Sequence, residues 1–219
     1  MMMKNNQDRV FTYEHENGTK IIAVADGSDD GDGAFAADCL VNTVKDTIRQ
    51  SQISKPGIEY HQGIRNQALE SLADEEYNAD KMAFCAYNVA RIFSDGLMEM
   101  SYLGDVMLAV FRAREVVYQS TEHSDPETQW LTKGLKVVDK IGQNLPEFTE
   151  IAYDTLQLES GDLIICASDG LWDNRRPEEI AQMIEPASNV GTVKEILSTI
   201  PHDRKSYRDD RGIAIYKHS

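Results

Sequence analysis

Apolar and polar positions alternate along the chain in two rhythms, one of short strand-like runs and one of helical stripes. Arg9 to Tyr13 alternates weakly, Glu14-His15-Glu16-Asn17-Gly18 is a turn signal, and Thr19 to Ala25 is an apolar run, so residues 9–25 predict a β-hairpin. The run stops at Asp26-Gly27 and opens into an acidic, glycine-rich loop, Ser28-Asp29-Asp30-Gly31-Asp32-Gly33. From Gly33 to about Gln50, residues Ala36, Ala37, Leu40, Val41, Val44 and Ile48 fall on one helical face. The local plan is strand, acidic turn, helix, which carries a carboxylate to the open end of a strand. Residues 51–60, with Pro56-Gly57, predict a loop, and a second helix is expected from His61 to Tyr77 with Ile64, Ala68, Leu69 and Leu72 inward.

Four runs follow, Met82–Phe93, Leu97–Leu103, Val106–Phe111 and Arg114–Gln119, and they read as a meander with turns at Ser94-Asp95-Gly96 and Gly104-Asp105. Residues 120–150 lose the pattern and predict a surface flap whose main apolar anchors are Trp130 and Leu131. Strands return at Ile151–Leu158 and Asp162–Ala167, the second ending at Ser168-Asp169-Gly170, so a second strand delivers an aspartate followed by glycine. Helices are predicted at Pro177–Ile184 and Val190–Ile200, and a last strand at Gly212–Tyr216 just after Asp209-Asp210. With no repeat or linker, one domain over residues 1–219 is expected, the flap at about 120–150 included.

Charge narrows the partners. Against 22 Lys plus Arg stand 37 Asp plus Glu, and the net charge of −15 disfavours nucleic acid and anionic membrane. No apolar run approaches the roughly 20 residues of a spanning helix, and Met1 to Asn6 holds no signal-peptide core, so a cytoplasmic protein is expected. Cys39, Cys85 and Cys166 are odd in number and lie in apolar patterns, as reduced core thiols do. His15, His61, His123, His202 and His218 show no ligand spacing and read as surface or capping residues.

The candidate chemistry lies in the aspartates. Asp8, Asp26, Asp105, Asp169 and Asp209 stand at strand ends, with Asp173 one helical turn after Asp169. Carboxylates converging in one cleft repel unless cations intervene, and an all-oxygen ligand set favours Mg²⁺ or Mn²⁺ over Zn²⁺. Two other readings are weaker. Asp26 to Asp32 looks like the front of an EF-hand loop, yet Ala37 stands where the bidentate acid belongs, and a strand rather than a helix precedes it. Cys85 and Arg91 meet the Cys-x5-Arg spacing of cysteine-dependent phosphatases, but the segment is glycine-free and strand-like, without a phosphate-cradling turn.

Asn6-Gln7-Asp8, Val24-Ala25-Asp26-Gly27, Tyr102-Leu103-Gly104-Asp105, the run from Gly161 through Cys166-Ala167-Ser168-Asp169-Gly170-Leu171-Trp172-Asp173, and Asp209-Asp210 occur in an order that resembles the metal-dependent Ser/Thr protein phosphatases of the 2C type. The resemblance spans nearly the whole chain, and Cys166 to Asp173 is its most specific part. It implies an α+β fold, an α-β-β-α sandwich of two antiparallel sheets flanked by helix pairs. It also implies a site of two Mn²⁺ or Mg²⁺ ions. By position, Asp26 would bridge both ions, the Gly27 carbonyl would bind one, and Asp169 and Asp209 the other. Asp8 would orient ligands from behind, while Asp105 and Asp173 match the positions of a third, weaker metal. The implied reaction is hydrolysis of phosphoserine or phosphothreonine in a protein substrate, reversing a cognate Ser/Thr kinase, by a metal-activated water. The sequence departs from the family in several places. Met3 stands where a phosphate-gripping arginine is usual, Gln7 where glutamate is common, and Ser28 to Gly33 replaces a histidine-containing loop. The strand that usually precedes Asn6-Gln7-Asp8 has no counterpart in the given sequence. These departures define an alternative, a pseudophosphatase or regulatory binding module that keeps the fold.

Overall fold

The computed structural model describes residues 6–28, 32–49, 56–74, 83–128, 130–136, 149–184, 189–201 and 210–219. Strands β1 (Arg9–Glu14) and β2 (Lys20–Gly27) form the expected hairpin, followed by helices α1 (Gly33–Arg49) and α2 (Ile58–Asp74). Then come β3 (Phe84–Ile92), β4 (Leu97–Leu103), β5 (Met107–Arg112), β6 (Glu115–Gln119), β7 (Leu135–Lys136), β8 (Ala152–Gln157) and β9 (Leu163–Ala167). Helices α3 (Asp169–Trp172), α4 (Pro177–Met183) and α5 (Val190–Ser198) lead to the last strand, β10 (Ile213–Lys217). One antiparallel sheet has the order β1-β2-β3-β4-β8, with β7 beside β3, and the other the order β10-β9-β5-β6.

Side-chain alternation explains the layering. Ile21, Ala23 and Ala25 of β2 pack with Ala36, Leu40, Val44, Ile64 and Leu72 of α1 and α2, whereas Ile22 and Val24 face the second sheet. In β9, Ile164 and Cys166 face the first sheet, while Ile165 and Ala167 meet Ile180, Val193 and Leu197 of α4 and α5. The architecture is therefore the α-β-β-α sandwich.

Four expectations need correction. The four runs from residue 84 to 119 do not form one meander: β3 and β4 pair in the first sheet and β5 and β6 in the second, so the chain changes sheets at Gly104-Asp105. Trp130 anchors nothing, being 78% exposed, and the flap is held instead by Leu135, fully buried where β7 meets β3, with Leu131 partly buried against the inter-sheet core. Helix α2 begins three residues before His61, at Ile58, directly after Gly57 with its φ of +149°. His61 is not a surface residue but completely buried. It shares the inward stripe of Ile64, Ala68 and Leu72, and its Nδ1 lies 2.9 Å from Ser101 Oγ. The expected helix residues 75–77 lie outside the described residues.

His61 belongs to a buried polar cluster between α2 and the first sheet. Arg91 and Glu99, cross-strand partners and both buried, form an ion pair, and Arg91 Nε donates to Glu99 Oε1 at 2.7 Å. Glu99 Oε2 accepts from the Gly57 N–H at 2.8 Å and the Tyr153 hydroxyl at 2.9 Å, and the Arg91 guanidinium lies 3.7 Å above the Tyr60 ring. Even against burial, His61, the Arg91 cation and the Gly57 N–H hold the Glu99 carboxyl down to about 2. Burial lowers the pKa of His61 although its Nε2 is 3.5 Å from Glu99. The cluster sits toward the end of the sheet opposite Asp26, since Arg91 pairs with Ile21 and Asp26 with Ala86.

Candidate functional site

Four strand ends build the site. Asp26 continues the row of Ile22 and Val24 that faces the second sheet, one residue past the last pairing of β2 with β1. Arg9 pairs with Ala25, so one further step of the same register sets Asp8 opposite Asp26, and the two carboxyls interact. Burial pushes the Asp8 carboxyl above the ordinary range, partly offset by hydrogen bonds with Ser168 and Asp26. Asp105 arrives on the crossover from β4 to β5, and Asp169 opens α3 directly after β9. Asp26, Gly27, Asp105 and Asp169 line one cleft of about 160 Å³, walled by Phe84, Ala86 and Leu131.

Neighbouring contacts fix these segments. Gly27 and Gly33 touch, so that a Cβ on Gly27 would lie 2.3 Å from the Gly33 carbonyl carbon, and the acidic loop is pinched shut at its base. The Ser28 N–H donates to the Phe84 carbonyl at 3.0 Å, which ties the loop's start to β3. Gln7 Oε1 accepts from the Ala34 N–H at 3.2 Å at the start of α1, while the Gln7 N–H donates to Asp210 Oδ2 at 2.9 Å. His123 Nδ1 accepts from the Gly104 N–H at 3.2 Å, its own N–H donates to the Gly104 carbonyl at 2.9 Å, and its ring stacks on Tyr102. It thereby steadies the crossover that carries Asp105. Trp172 lies buried beneath Asp169, its Nε1 donating to the carbonyls of Met107 and Ala167.

Of the residues singled out in the sequence, Asp8, Asp26, Gly27, Asp105 and Asp169 come together here. Asp173 caps the C-terminus of α3 and is not among the cleft-lining residues. Asp209 lies outside the described residues, as do Met3 and Asp29 to Gly31. Among the described residues no three His, Cys, Asp or Glu groups close into a ligand shell. The donor chemistry is nonetheless that of a hard divalent cation: three carboxylates and the end of a strand, without sulfur or imidazole. Cys85 is buried in β3, and burial first, then Asp26 and Cys39, raises its pKa well above the thiol range, which leaves no thiolate at neutral pH.

The protein phosphatase 2C family model matches residues 3–199. The chain belongs to the protein phosphatase 2C family. No curated protein sequence matches it. Among solved structures, the S. agalactiae serine/threonine phosphatase superposes with a TM-score of 0.73 at 19% identity, covering 100% of this chain and 96% of that one. The PPM Ser-Thr phosphatase MsPP from Mycobacterium smegmatis, in complex with cacodylate, gives 0.72 at 19% identity, covering 100% and 94%. RsbX in complex with magnesium gives 0.66 at 16% identity, covering 97% and 86%. At such identities these likenesses establish the 2C-type fold. Within that fold, two residues that no spacing pattern marked in advance hold the site together. Ser168 is visible in the sequence only as the neighbour of Asp169, and His123 only as a histidine without ligand spacing.

Proposed function

We propose that the protein hydrolyses phosphoserine and phosphothreonine in protein substrates with Mn²⁺ or Mg²⁺, reversing the work of a Ser/Thr kinase in the cytoplasm, as one domain over residues 1–219. The observation that carries this reading is the meeting of Asp26, Asp105 and Asp169 in one cleft with Asp8 behind Asp26. Asp26, the Gly27 carbonyl, Asp169 and Asp209 would hold two ions, and Asp105 and Asp173 a third. Divalent ions held there would supply an activated water and charge to neutralise the phosphoryl oxygens. Asp8, partly buried and hydrogen-bonded to Ser168, keeps the Asp26 carboxyl oriented, and the pinch at Gly27 and Gly33 holds the main chain beside it. Phe84 and Leu131 limit the water that enters. The magnesium in the similar fold of RsbX supports the choice of metal. The buried Cys85 argues against a covalent phosphocysteine route.

The test is hydrolysis of p-nitrophenyl phosphate and a phosphothreonine peptide with Mn²⁺ against an EDTA control. A rate indifferent to EDTA would overturn the metal-dependent reading. Met3 in place of the usual arginine and the altered loop after Gly27 favour a second reading, a fold-retaining pseudophosphatase or regulatory binding module. Phosphopeptide binding without turnover in Mn²⁺ would select it.

A further inference from the structure

Ser168 is completely buried and occupies the N-cap position of α3, yet its hydroxyl caps no helix N–H. A serine there normally accepts from the N2 or N3 amide. Here the hydroxyl donates to Asp8 Oδ2 at 2.7 Å and accepts from the Gly212 N–H at 2.9 Å. The Ser168 N–H donates in turn to the Gly212 carbonyl at 3.0 Å, adding one rung to the β9–β10 ladder. Asp8 stands one rung beyond the β1–β2 ladder, opposite Asp26. The hydroxyl thus joins the open end of one sheet to the open end of the other, across 160 residues of sequence.

That junction lies where the expected ligands divide between the sheets. Asp26 sits on the first, while Asp169 follows directly on β9 of the second. Carboxylates facing each other across a sandwich push its ends apart until cations arrive. We propose that Ser168 is a positioning residue of the metal site: through Asp8 and Gly212 its hydroxyl fixes the Asp8 rotamer against Asp26 and the spacing between the two sheet ends, presetting the site for divalent cations. The proposal rests on the metal-dependent reading above. Groups that orient metal ligands typically change metal affinity 10–100-fold when removed.

The experiment is calorimetric titration of Mn²⁺ into EDTA-stripped, dialysed protein, with thermal melts and p-nitrophenyl phosphate kinetics alongside. Ser168→Ala should raise the Mn²⁺ Kd about tenfold and lower kcat with little change in KM, while the metal-free melting temperature moves by only a few degrees. Gly212→Ala keeps the hydroxyl but sets a Cβ 3.2 Å from both Asp8 Cβ and Oδ2, and should weaken Mn²⁺ binding in the same direction. In an Asp8→Ala background, Ser168→Ala should add nothing further. If Ser168→Ala fails to fold, Ser168→Cys keeps the volume with a weaker donor and carries the same expectation. Unchanged Mn²⁺ affinity beside a lowered melting temperature would make Ser168 a mere filler and overturn the proposal, as would additive losses in the double mutant. Wild-type protein that takes up no Mn²⁺ would remove the metal reading itself and the positioning role with it.

Discussion

Replacing Glu99 by glutamine tests whether the buried cluster under α2 depends on charge or only on shape. The carboxylate accepts from Arg91, the Gly57 N–H and the Tyr153 hydroxyl, and all of these are donors. An amide keeps one acceptor oxygen and turns an NH₂ toward whichever donors remain, leaving the buried Arg91 cation without a counter-charge. The fall of the Glu99 pKa from 4.5 to about 2 corresponds to about 3 kcal/mol at 1.4 kcal/mol per unit. Breaking a buried pair from one side gives a similar 3–5 kcal/mol. Glu99→Gln should therefore cost about 3 kcal/mol at pH 7.5, a drop of about 1 M in the urea midpoint for an m-value of about 2.5 kcal/mol per M. The pH dependence has a definite sign. The folded pKa is depressed, so the contribution is complete above 4.5 and is lost as pH falls toward 2. The gap between wild type and variant should thus narrow below pH 4.5 and shrink to less than about half by pH 3. His61 acts earlier in the same direction: its depressed folded pKa means that wild-type stability begins to fall as pH drops through 6.5, its ordinary value. Urea titrations by circular dichroism at pH 7.5, 6, 4.5 and 3 measure both windows. A cost below about 1 kcal/mol at pH 7.5, or a gap independent of pH, would show that the charge is not what stabilises the cluster.

The remaining predictions concern the site and its floor. Asp26→Ala, Asp169→Ala and Asp209→Ala should each nearly abolish Mn²⁺-stimulated hydrolysis, yet leave the metal-free melting temperature equal or higher, because one repelling carboxylate is gone; steady-state assays and scanning fluorimetry check both. Cys85→Ser should leave kcat within about twofold, since a fully buried thiol kept protonated can neither attack nor bind metal; a large loss in folded protein would revive a cysteine mechanism. Trp172→Phe should cost about 1–2 kcal/mol in urea unfolding, because the two carbonyls served by its Nε1 are buried and lose their donor.

Much of the fold was legible because alternation and turn residues act locally. The hairpin at residues 9–25, helix α1, and strands β8 to β10 lie within a few residues of where the pattern sets them. Most of the errors share a cause, a dependence on a partner distant in sequence. Gly104-Asp105 looks like a hairpin turn, and nothing in those residues reveals that β5 pairs with β9 rather than β4. Trp130 is the larger and more apolar side chain, but Leu135 meets the edge of β3 and is therefore the one that is buried. His61 could have been found, since it stands in the inward row with Ile64, Ala68 and Leu72, and a histidine on a buried stripe needs a polar partner. The partner, Ser101, is 40 residues away on another strand. Arg91 and Glu99 were also within reach: both interrupt apolar runs on either side of Ser94-Asp95-Gly96, and a hairpin through that turn sets them opposite each other.

The site divides the same way, and the division has a physical basis. A carboxylate that meets a cation must leave the sheet where the backbone ladder ends, so aspartate at the close of an apolar run, followed by glycine, is a local signal, and Asp26 and Asp169 carry it. What sets the distance between two such carboxylates is not local. It depends on how the ends of two sheets are joined, and the join consists of Ser168 reaching Asp8 and Gln7 reaching Asp210, bonds between residues about 160 and 200 positions apart. Serine and glutamine in those places look like ordinary polar residues until the register of β1 on β2 and of β10 on β9 is known. One rung of slippage in either ladder would turn Asp8 or Ser168 to the opposite face and undo the junction while leaving every aspartate at its strand end. Sequence can therefore name which groups would bind the metal, but the alignment of the two ladders decides whether they face it together.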